Sequence, residues 1–195
     1  AKLSRVRALI SDIKDMTARK RDINVRKTEL AQVAEQDHEQ RRDMWTVPVG
    51  LFNENSQSLY KTPGHLIIDI TESGFKYDVE INRSGSEGVG KMKIFCFDLM
   101  LLQLTAQKAD RLDFLVHDSC LYDGVDERQR ALALERASEI TGEIGAQYIC
   151  TLNSDMVPRD EFSEGFEFDK FVRLTLTDRD QADSLLGFHF EKPGR

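Results

Sequence analysis

The chain has 195 residues, of which 40% are hydrophobic and 31% charged, with twelve glycines and four prolines. This composition excludes disordered and fibrous chains, and the length accommodates one ordinary domain with an appendage. The net charge of −7 argues against a surface that binds nucleic acid over its whole extent. No stretch approaches the roughly 18 to 20 apolar residues that span a bilayer, and no signal pattern opens the chain. We therefore expect a soluble, cytoplasmic protein with no membrane partner.

The cysteines and histidines do not indicate a metal site. Cys96, Cys120 and Cys150 are an odd number of cysteines, lie in apolar runs and lack C-x-x-C spacing, which predicts buried free thiols. Three of the four histidines share no ligand spacing: His38, His65 and His189. No histidine metal site is therefore predicted.

The first third of the sequence carries a heptad pattern. Apolar residues recur at alternating intervals of three and four, with Lys20 and Lys27 also at seam positions: Val6, Leu9, Ile13, Met16, Ile23, Leu30 and Ala34. The pattern predicts a long helix and a coiled-coil arm over residues 1–45; the alternative is one arm of a helical hairpin that packs on its own domain. Because residue 1 lies inside the helical pattern without a cap, we expect the chain to be a piece of a longer polypeptide.

The remaining residues, 46–195, predict an α/β lobe. Pro48, Gly50, Pro63 and Gly64 indicate a loop-rich stretch, and the alternation that follows predicts a β-hairpin with its turn at residues 72–74. Strands and helices then alternate, which predicts a parallel sheet covered by helices beside that hairpin. The predicted elements are hairpin strands at 65–70 and 75–81, helices at 92–104 and about 127–144, a buried strand at 112–117, and two further strands at 147–152 and 171–177.

A glycine-rich segment lies between the hairpin and the first of these helices. Residues 85–92 nearly match the P-loop pattern G-x-x-x-x-G-K-[ST], but Met92 stands where a Ser or Thr hydroxyl would coordinate magnesium. A degenerate P-loop, which would make the chain an independent nucleotide enzyme, is therefore the weaker interpretation. In the stronger one, backbone N–H groups of the turn and the helix N-terminus bind phosphate oxygens of a nucleotide held by another chain. A turn that merely starts a helix is the structural alternative.

The run His117-Asp118-Ser119 contains the residue types of a hydrolase triad. Consecutive residues of a strand point to opposite faces, so these three side chains do not converge and no triad is predicted. Asp118 ends an apolar strand, where a carboxylate suits a hard cation or caps the turn that follows.

Two segments carry a family resemblance. Gly-Lys-Met-Lys-Ile-Phe-Cys-Phe-Asp-Leu (90–99) and His-Asp-Ser-Cys-Leu-Tyr-Asp-Gly-Val-Asp-Glu-Arg-Gln (117–129) are similar to an uncharacterised bacterial family found at the C-termini of coiled-coil ATPases. The order of arm, hairpin, glycine-rich turn, apolar helix and acid-ended strand resembles the C-terminal lobe of the ABC-type heads of SMC, RecN and RecF proteins. The resemblance covers nearly the whole chain and implies that lobe as the fold, with the P-loop half upstream across the coiled coil.

The resemblance also implies residue roles. Asp118 would be the Walker B aspartate that holds magnesium through water, and Ser119 stands where related heads have a catalytic glutamate. Either hydrolysis is slow, or Asp123 or Asp126 takes the place of that glutamate. A signature motif that meets the γ-phosphate is implied at Ser84, Gly85, Ser86, Glu87, Gly88 and Gly90, with Ser86 and Gly88 foremost. Lys91 and Lys93 are further candidates for phosphate or nucleic-acid contacts. A D-loop is implied at Asp123, Gly124 and Asp126, and Asn153 takes the switch position as a hydrogen-bonding group only.

As a whole, the resemblance implies ATP-dependent dimerisation of heads, with ATP and magnesium bound in the assembled head and the isolated chain inactive. The implied partners are the N-terminal half of the same polypeptide, a second head, DNA and accessory subunits, in bacterial DNA repair or phage defence. The alternative is a non-catalytic interaction platform with a coiled-coil arm, which the serine at position 119 favours.

Overall fold

Helices form most of the chain in this computed structural model, which describes residues 2–71, 74–81, 86–177, 179–180 and 183–187. The protein is mixed α/β and mostly helical. Its elements are the helices α1 (Lys2–Gln40), α2 (Arg42–Tyr60), α3 (Glu87–Thr105) and α4 (Glu127–Ile144), an antiparallel hairpin of β1 (His65–Thr71) and β2 (Gly74–Glu80), and a parallel pair of β3 (Phe114–His117) and β4 (Gln147–Cys150).

The predicted long N-terminal helix is confirmed as α1. Residues 3–30 are all exposed, and partial burial against the rest of the chain begins at Ala31. A single residue, Arg41, separates α1 from α2, and its side-chain Nε donates to Asp37 Oδ1 at 2.8 Å. The arm and the lobe are therefore joined by nearly continuous helix, and the predicted boundary after Trp45 falls inside α2.

The loop-rich stretch predicted after Trp45 is wrong, because α2 runs through Pro48 and Gly50. Its buried residues Phe52, Asn55, Ser56 and Leu59 recur at helical spacing and form one face. Burying that face against α3 and α4 outweighs the cost of the missing proline N–H. The helix ends at Tyr60, and the capping residue Lys61 adopts a left-handed conformation with φ of 56°.

Helix α3 is the centre of the core. Met92, Phe95, Cys96 and Leu99 are completely buried, and the helix packs against α2, α4 and β3. A set of hydrogen bonds between polar side chains also crosses this core. Asn55 of α2 donates to Gln103 Oε1 at 2.8 Å and accepts from Arg136 Nε of α4 at 3.3 Å, so the three helices are held in a fixed relation.

Both sheets are small. The hairpin is confirmed with His65 paired to Glu80 and Thr71 paired to Gly74. The parallel pair is confirmed at residues 114–117 and 147–150, but the predicted burial of the first strand is wrong, because Phe114 and Val116 are exposed on the face away from α3. The third strand predicted at 171–177 is also wrong. Residues 172–177 are in no strand, and several of their side chains are solvent-exposed, because the described chain places no ladder beside them.

The side chains of the three cysteines differ in exposure. Cys96 is buried and Cys150 half-buried, as expected, whereas Cys120 is exposed and corrects the prediction of three buried thiols. Burial raises the pKa of Cys96 to about 12 and that of Cys150 to about 11, so both stay protonated at neutral pH. Over the described residues, no helix has the length and apolar character needed to cross a membrane.

Candidate functional site

The N-terminus of α3 carries the predicted signature residues. Ser86 is the N-cap, and its hydroxyl oxygen accepts a hydrogen bond from Val89 N–H at 3.3 Å. A hydroxyl that accepts this bond still has its own hydrogen to donate. Glu87 occupies the first turn and is exposed, and Gly90 N–H donates to the Ser86 carbonyl at 3.2 Å. Ser84 and Gly85 lie outside the described residues.

Gly88 brings this helix start into direct contact with the predicted D-loop. A Cβ atom at Gly88 would overlap the Gly124 carbonyl oxygen and lie 3.0 Å from Val125 Cα, so only a hydrogen fits between the two backbones. Gly124 itself has a positive φ of 69°, which favours glycine there. The signature and D-loop segments, predicted separately, therefore form one packed unit.

Lys91 strengthens the same contact. Its ammonium group donates to the Asp123 carbonyl oxygen at 2.9 Å and lies 3.3 Å from the Glu87 carboxylate. A lysine held by these two acceptors joins α3 to the loop, a role that sequence reasoning did not assign to it. Lys93 makes no described contact with this loop.

Ser86 and Asp126 line the same open concavity, which has a volume of about 560 Å³. Asp126 caps α4 by accepting from Arg128 N–H at 3.1 Å. The Tyr60 hydroxyl, from the C-terminal end of α2, is buried at this concavity and has no hydrogen-bond partner among the described residues. Burial raises the pKa of Tyr60, so the phenol stays protonated.

Asp118 lies at the carboxyl end of β3, opposite Thr151 at the end of β4. The Thr151 hydroxyl donates to Asp118 Oδ1 at 2.6 Å and accepts from Ser119 N–H at 3.2 Å. The side chain of Asp118 is exposed, and its pKa is held below the usual range first by the Thr151 hydroxyl and then by the Ser119 backbone N–H. The carboxylate is therefore ionised and oriented at neutral pH, with one oxygen directed by Thr151.

The structure does not bring Asn153 to Asp118. Its side-chain amide donates to the Met156 sulfur at 3.7 Å, and Thr151 holds the position beside Asp118. The sequence analysis named Asn153 for the switch position. The position immediately after β4 was the usable signal, because the ends of neighbouring parallel strands meet.

A test of this arrangement is Thr151→Val. Removing the hydroxyl is expected to raise the pKa of Asp118 towards its ordinary value, and Ser119→Ala is expected to raise it less, because the Ser119 hydroxyl is the weakest of the stabilising contacts. Because the native pKa is lowered, stability from this carboxylate is present above its unfolded pKa and is lost as the pH falls through the native value. NMR titration of the Asp118 carboxyl carbon measures both variants, and equal shifts would contradict the assignment to Thr151.

His117 faces the core, whereas Asp118 faces solvent, so the two do not belong to a triad. His117 Nε2 lies 3.0 Å from Asp98 Oδ2 on α3, and Nδ1 lies 2.9 Å from the Tyr148 hydroxyl. The Tyr148 hydroxyl in turn bonds the hydroxyl of Tyr122. This polar chain links α3, β3, β4 and the segment that follows β3.

Sequence reasoning did not single out this polar chain, although Asp98, His117 and Tyr122 all lie in the two motif segments. The signal was Asp98, an acid within the otherwise apolar run of α3. Burial raises the pKa of both Tyr122 and Tyr148, so both phenols remain protonated donors. These hydrogen bonds tie the carboxyl end of β3, at His117 next to Asp118 in sequence, to α3 and β4.

Magnesium is the metal that the resemblance implies. Within the part of the chain that the structure describes, no three His, Cys, Asp or Glu side chains cluster so as to hold a metal ion. Asp118 supplies an ionised carboxylate, which fits the contact to magnesium through water that the resemblance implies.

Comparison with known proteins places the chain in a family. No curated protein matches the chain. Residues 55–190, which include both motif segments, match the family described as an uncharacterised protein conserved in bacteria (DUF2326). The uncharacterised bacterial family expected from those segments is thus confirmed, and its link to SMC-like and RecN-like ATPases stays a prediction. Since the match covers well over half of its length, the chain belongs to the bacterial family DUF2326.

Proposed function

We propose that this chain is the C-terminal half of an ABC-type ATPase head, which contributes a signature turn, a Walker B aspartate and a D-loop to ATP-dependent head dimerisation. The observation that carries the proposal is the packing of the predicted signature turn on the predicted D-loop through Gly88 and Gly124. Ser86 and Asp126 line the same concavity, so polar groups from both segments face one opening.

The exposed face of the parallel sheet supports the proposal. Parallel strands are usually covered on both faces, yet Phe114 is 60%, Val116 53% and Ile149 40% exposed. The opposite face packs against α3. A two-stranded parallel sheet with one uncovered apolar face is what half of a larger sheet domain would present before its other half is added.

The residues of this chain would divide the work as follows. The Ser86 hydroxyl and the N–H groups that begin α3 donate towards an anion, and the positive end of the helix dipole adds to their attraction. Asp118 offers an ionised carboxylate that the Thr151 hydroxyl orients by donating to Oδ1. Bound magnesium-ATP would supply the anionic γ-phosphate and the cation that these groups face.

Ser119 favours a second candidate, a non-catalytic interaction platform. Its backbone N–H donates to the Thr151 hydroxyl, and its own hydroxyl is too weak a base to activate water as the carboxylate of a glutamate would. In this alternative the α/β lobe is a docking surface, and the exposed α1 is an oligomerisation element. Nucleotide would then have no effect on assembly.

ATP-dependent dimerisation tests the proposal. We expect a mixture of this chain with the P-loop half of its parent polypeptide to double in mass on addition of magnesium-ATP, measured by light scattering. Ser86→Arg places a bulky cation in the signature turn and is expected to abolish the change. Gln107→Arg introduces the same side chain at an exposed position beyond the other end of α3 and is expected to leave it intact.

The outcomes separate the candidates. No mass change with ATP in the native mixture supports the interaction platform, and equal dimerisation of Ser86→Arg contradicts the signature assignment. ATP binding by this chain without its P-loop half would indicate the degenerate P-loop instead.

A further inference from the structure

The arm presents an apolar stripe that the described chain leaves uncovered. The large apolar side chains of the seam are 51–71% exposed: Val6, Leu9, Ile13, Met16, Ile23 and Leu30. Leu3 and Ile10 extend this stripe on one side. All lie within residues 3–30, where every residue is exposed. Large apolar side chains repeated along one line of a helix indicate a binding surface.

Basic residues line one side of this stripe. The row that precedes seam positions at seven-residue intervals from Val6 lies directly beside the seam. Arg5, Arg19 and Arg26 form this row, interrupted by Asp12, whereas Arg7, Lys14 and Arg21 lie further from the seam, on the outer surface of the helix. The acids Asp15, Asp22 and Glu29 lie two residues after seam positions, on the far side of the helix.

The charge of the N-terminal part of the arm is opposite to that of the whole chain. Residues 1–27 contain nine lysines and arginines and three aspartates, a net charge of +6, whereas the whole chain carries −7. Arg26 lies 3.1 Å from Asp22, but both side chains are more than 60% exposed, so a partner carboxylate can replace this contact.

We propose that the stripe binds a partner helix whose own apolar seam is flanked by aspartates and glutamates. Charges beside the seam set partner choice in coiled coils, and the basic row of Arg5, Arg19 and Arg26 requires acidic counterparts. The inference concerns the arm alone and holds for either candidate function of the lobe.

A second copy of the chain does not supply this complement. Antiparallel self-pairing would place the row of Arg5, Arg19 and Arg26 against itself. Parallel self-pairing would place it opposite the row of Ile10, Thr17 and Asn24, which carries no acid. An anionic lipid surface is also disfavoured, because Lys20 and Lys27 interrupt the apolar stripe at its centre.

Peptide binding to the full 195-residue chain tests the proposal. Two fluorescent four-heptad peptides share Leu and Ile at the seam and differ only in carrying Glu or Lys at both flanking positions. We expect the Glu peptide to bind at least about tenfold more tightly than the Lys peptide, with a difference that shrinks as salt is raised. Fluorescence anisotropy measures both.

Charge reversal supplies the matched control. The triple variant Arg5→Glu, Arg19→Glu, Arg26→Glu is expected to reverse the preference, whereas Asp15→Lys, Asp22→Lys, Glu29→Lys on the far face is expected to keep its order. Three outcomes would overturn the proposal: equal or absent binding of the two peptides, a homodimer in analytical ultracentrifugation that excludes the Glu peptide, or preferential binding to phosphatidylserine vesicles. Failure here with intact ATP-dependent dimerisation would remove only the arm inference.

Discussion

Gly88→Ala is expected to lower the melting temperature of the chain by several degrees, whereas Gly90→Ala is expected to leave it unchanged or raise it. Both glycines lie in the first turns of α3, but a Cβ at Gly88 overlaps the Gly124 carbonyl oxygen, and a Cβ at Gly90 has no described atom within 4 Å beyond its neighbours and helix backbone. Thermal unfolding of the two variants distinguishes a loss of stability caused by steric overlap from a gain caused by the higher helix propensity of alanine.

The expected magnitudes follow from the two mechanisms. Forcing a methyl group between packed backbones costs about 1–3 kcal/mol, and a chain of this size loses about 2–4 °C for each kcal/mol. Replacing an unhindered helical glycine by alanine instead contributes about 0.5–1 kcal/mol of stability. Equal effects of the two substitutions would contradict the contact between α3 and the loop at Gly124.

Gly88→Ala also bears on the proposed function. Relief of the overlap requires the segment at Gly124 or the start of α3 to move, and both line the surface proposed to meet a nucleotide. We therefore expect this variant to weaken ATP-dependent dimerisation even where it remains folded, while Gly90→Ala does not. Light scattering at a temperature below the unfolding of both variants makes this comparison.

Local patterns were sufficient for most elements. The helix predicted at about 127–144 is confirmed as α4. Asp126 caps its start, Gly145 follows its end in a left-handed conformation, and its apolar residues recur with helical period, so the local signals agree with the packing. The hairpin was likewise readable from alternation. In α2, by contrast, Pro48 and Gly50 gave local breaker signals, and the burial of Phe52 and Leu59 against other helices decided the outcome.

The strand predicted at 171–177 failed for a related reason. Its apolar residues fit a strand, but a strand exists only where a neighbour supplies hydrogen bonds, and the described chain supplies none there. Phe171 instead stacks on Phe166, with ring centroids 5.3 Å apart. The apolar composition of that segment was therefore no evidence that a neighbouring strand was present to pair with it.

In the candidate site, too, local motifs could be predicted from the sequence and long-range contacts could not. The signature and D-loop segments were found from sequence because each is a local motif. Their contact joins Gly88 to Gly124, and the partnership of Asp118 with Thr151 joins residues 33 apart. Contacts of that separation depend on the packing of several elements and leave no periodic signal.

The second large effect is expected at the polar chain around His117. Tyr148→Phe removes one oxygen without opening a cavity, yet it leaves His117 Nδ1 and the fully buried Tyr122 hydroxyl without the partner each now has. Each buried group left unsatisfied costs about 1–3 kcal/mol. We expect a loss of about 2–4 kcal/mol in the free energy of unfolding, measured by urea denaturation.

Two further tyrosines make the test specific, because the same oxygen is removed in different surroundings. Tyr77 is 54% exposed on β2, and Tyr77→Phe is expected to change the free energy of unfolding by less than about 0.5 kcal/mol. The buried Tyr60 hydroxyl has no hydrogen-bond partner among the described residues, so Tyr60→Phe removes an unsatisfied group and is expected to be neutral or stabilising. A Tyr148→Phe effect no larger than that of Tyr77→Phe would show that the polar chain does not stabilise the fold, and a large loss in Tyr60→Phe would show that its hydroxyl has a partner.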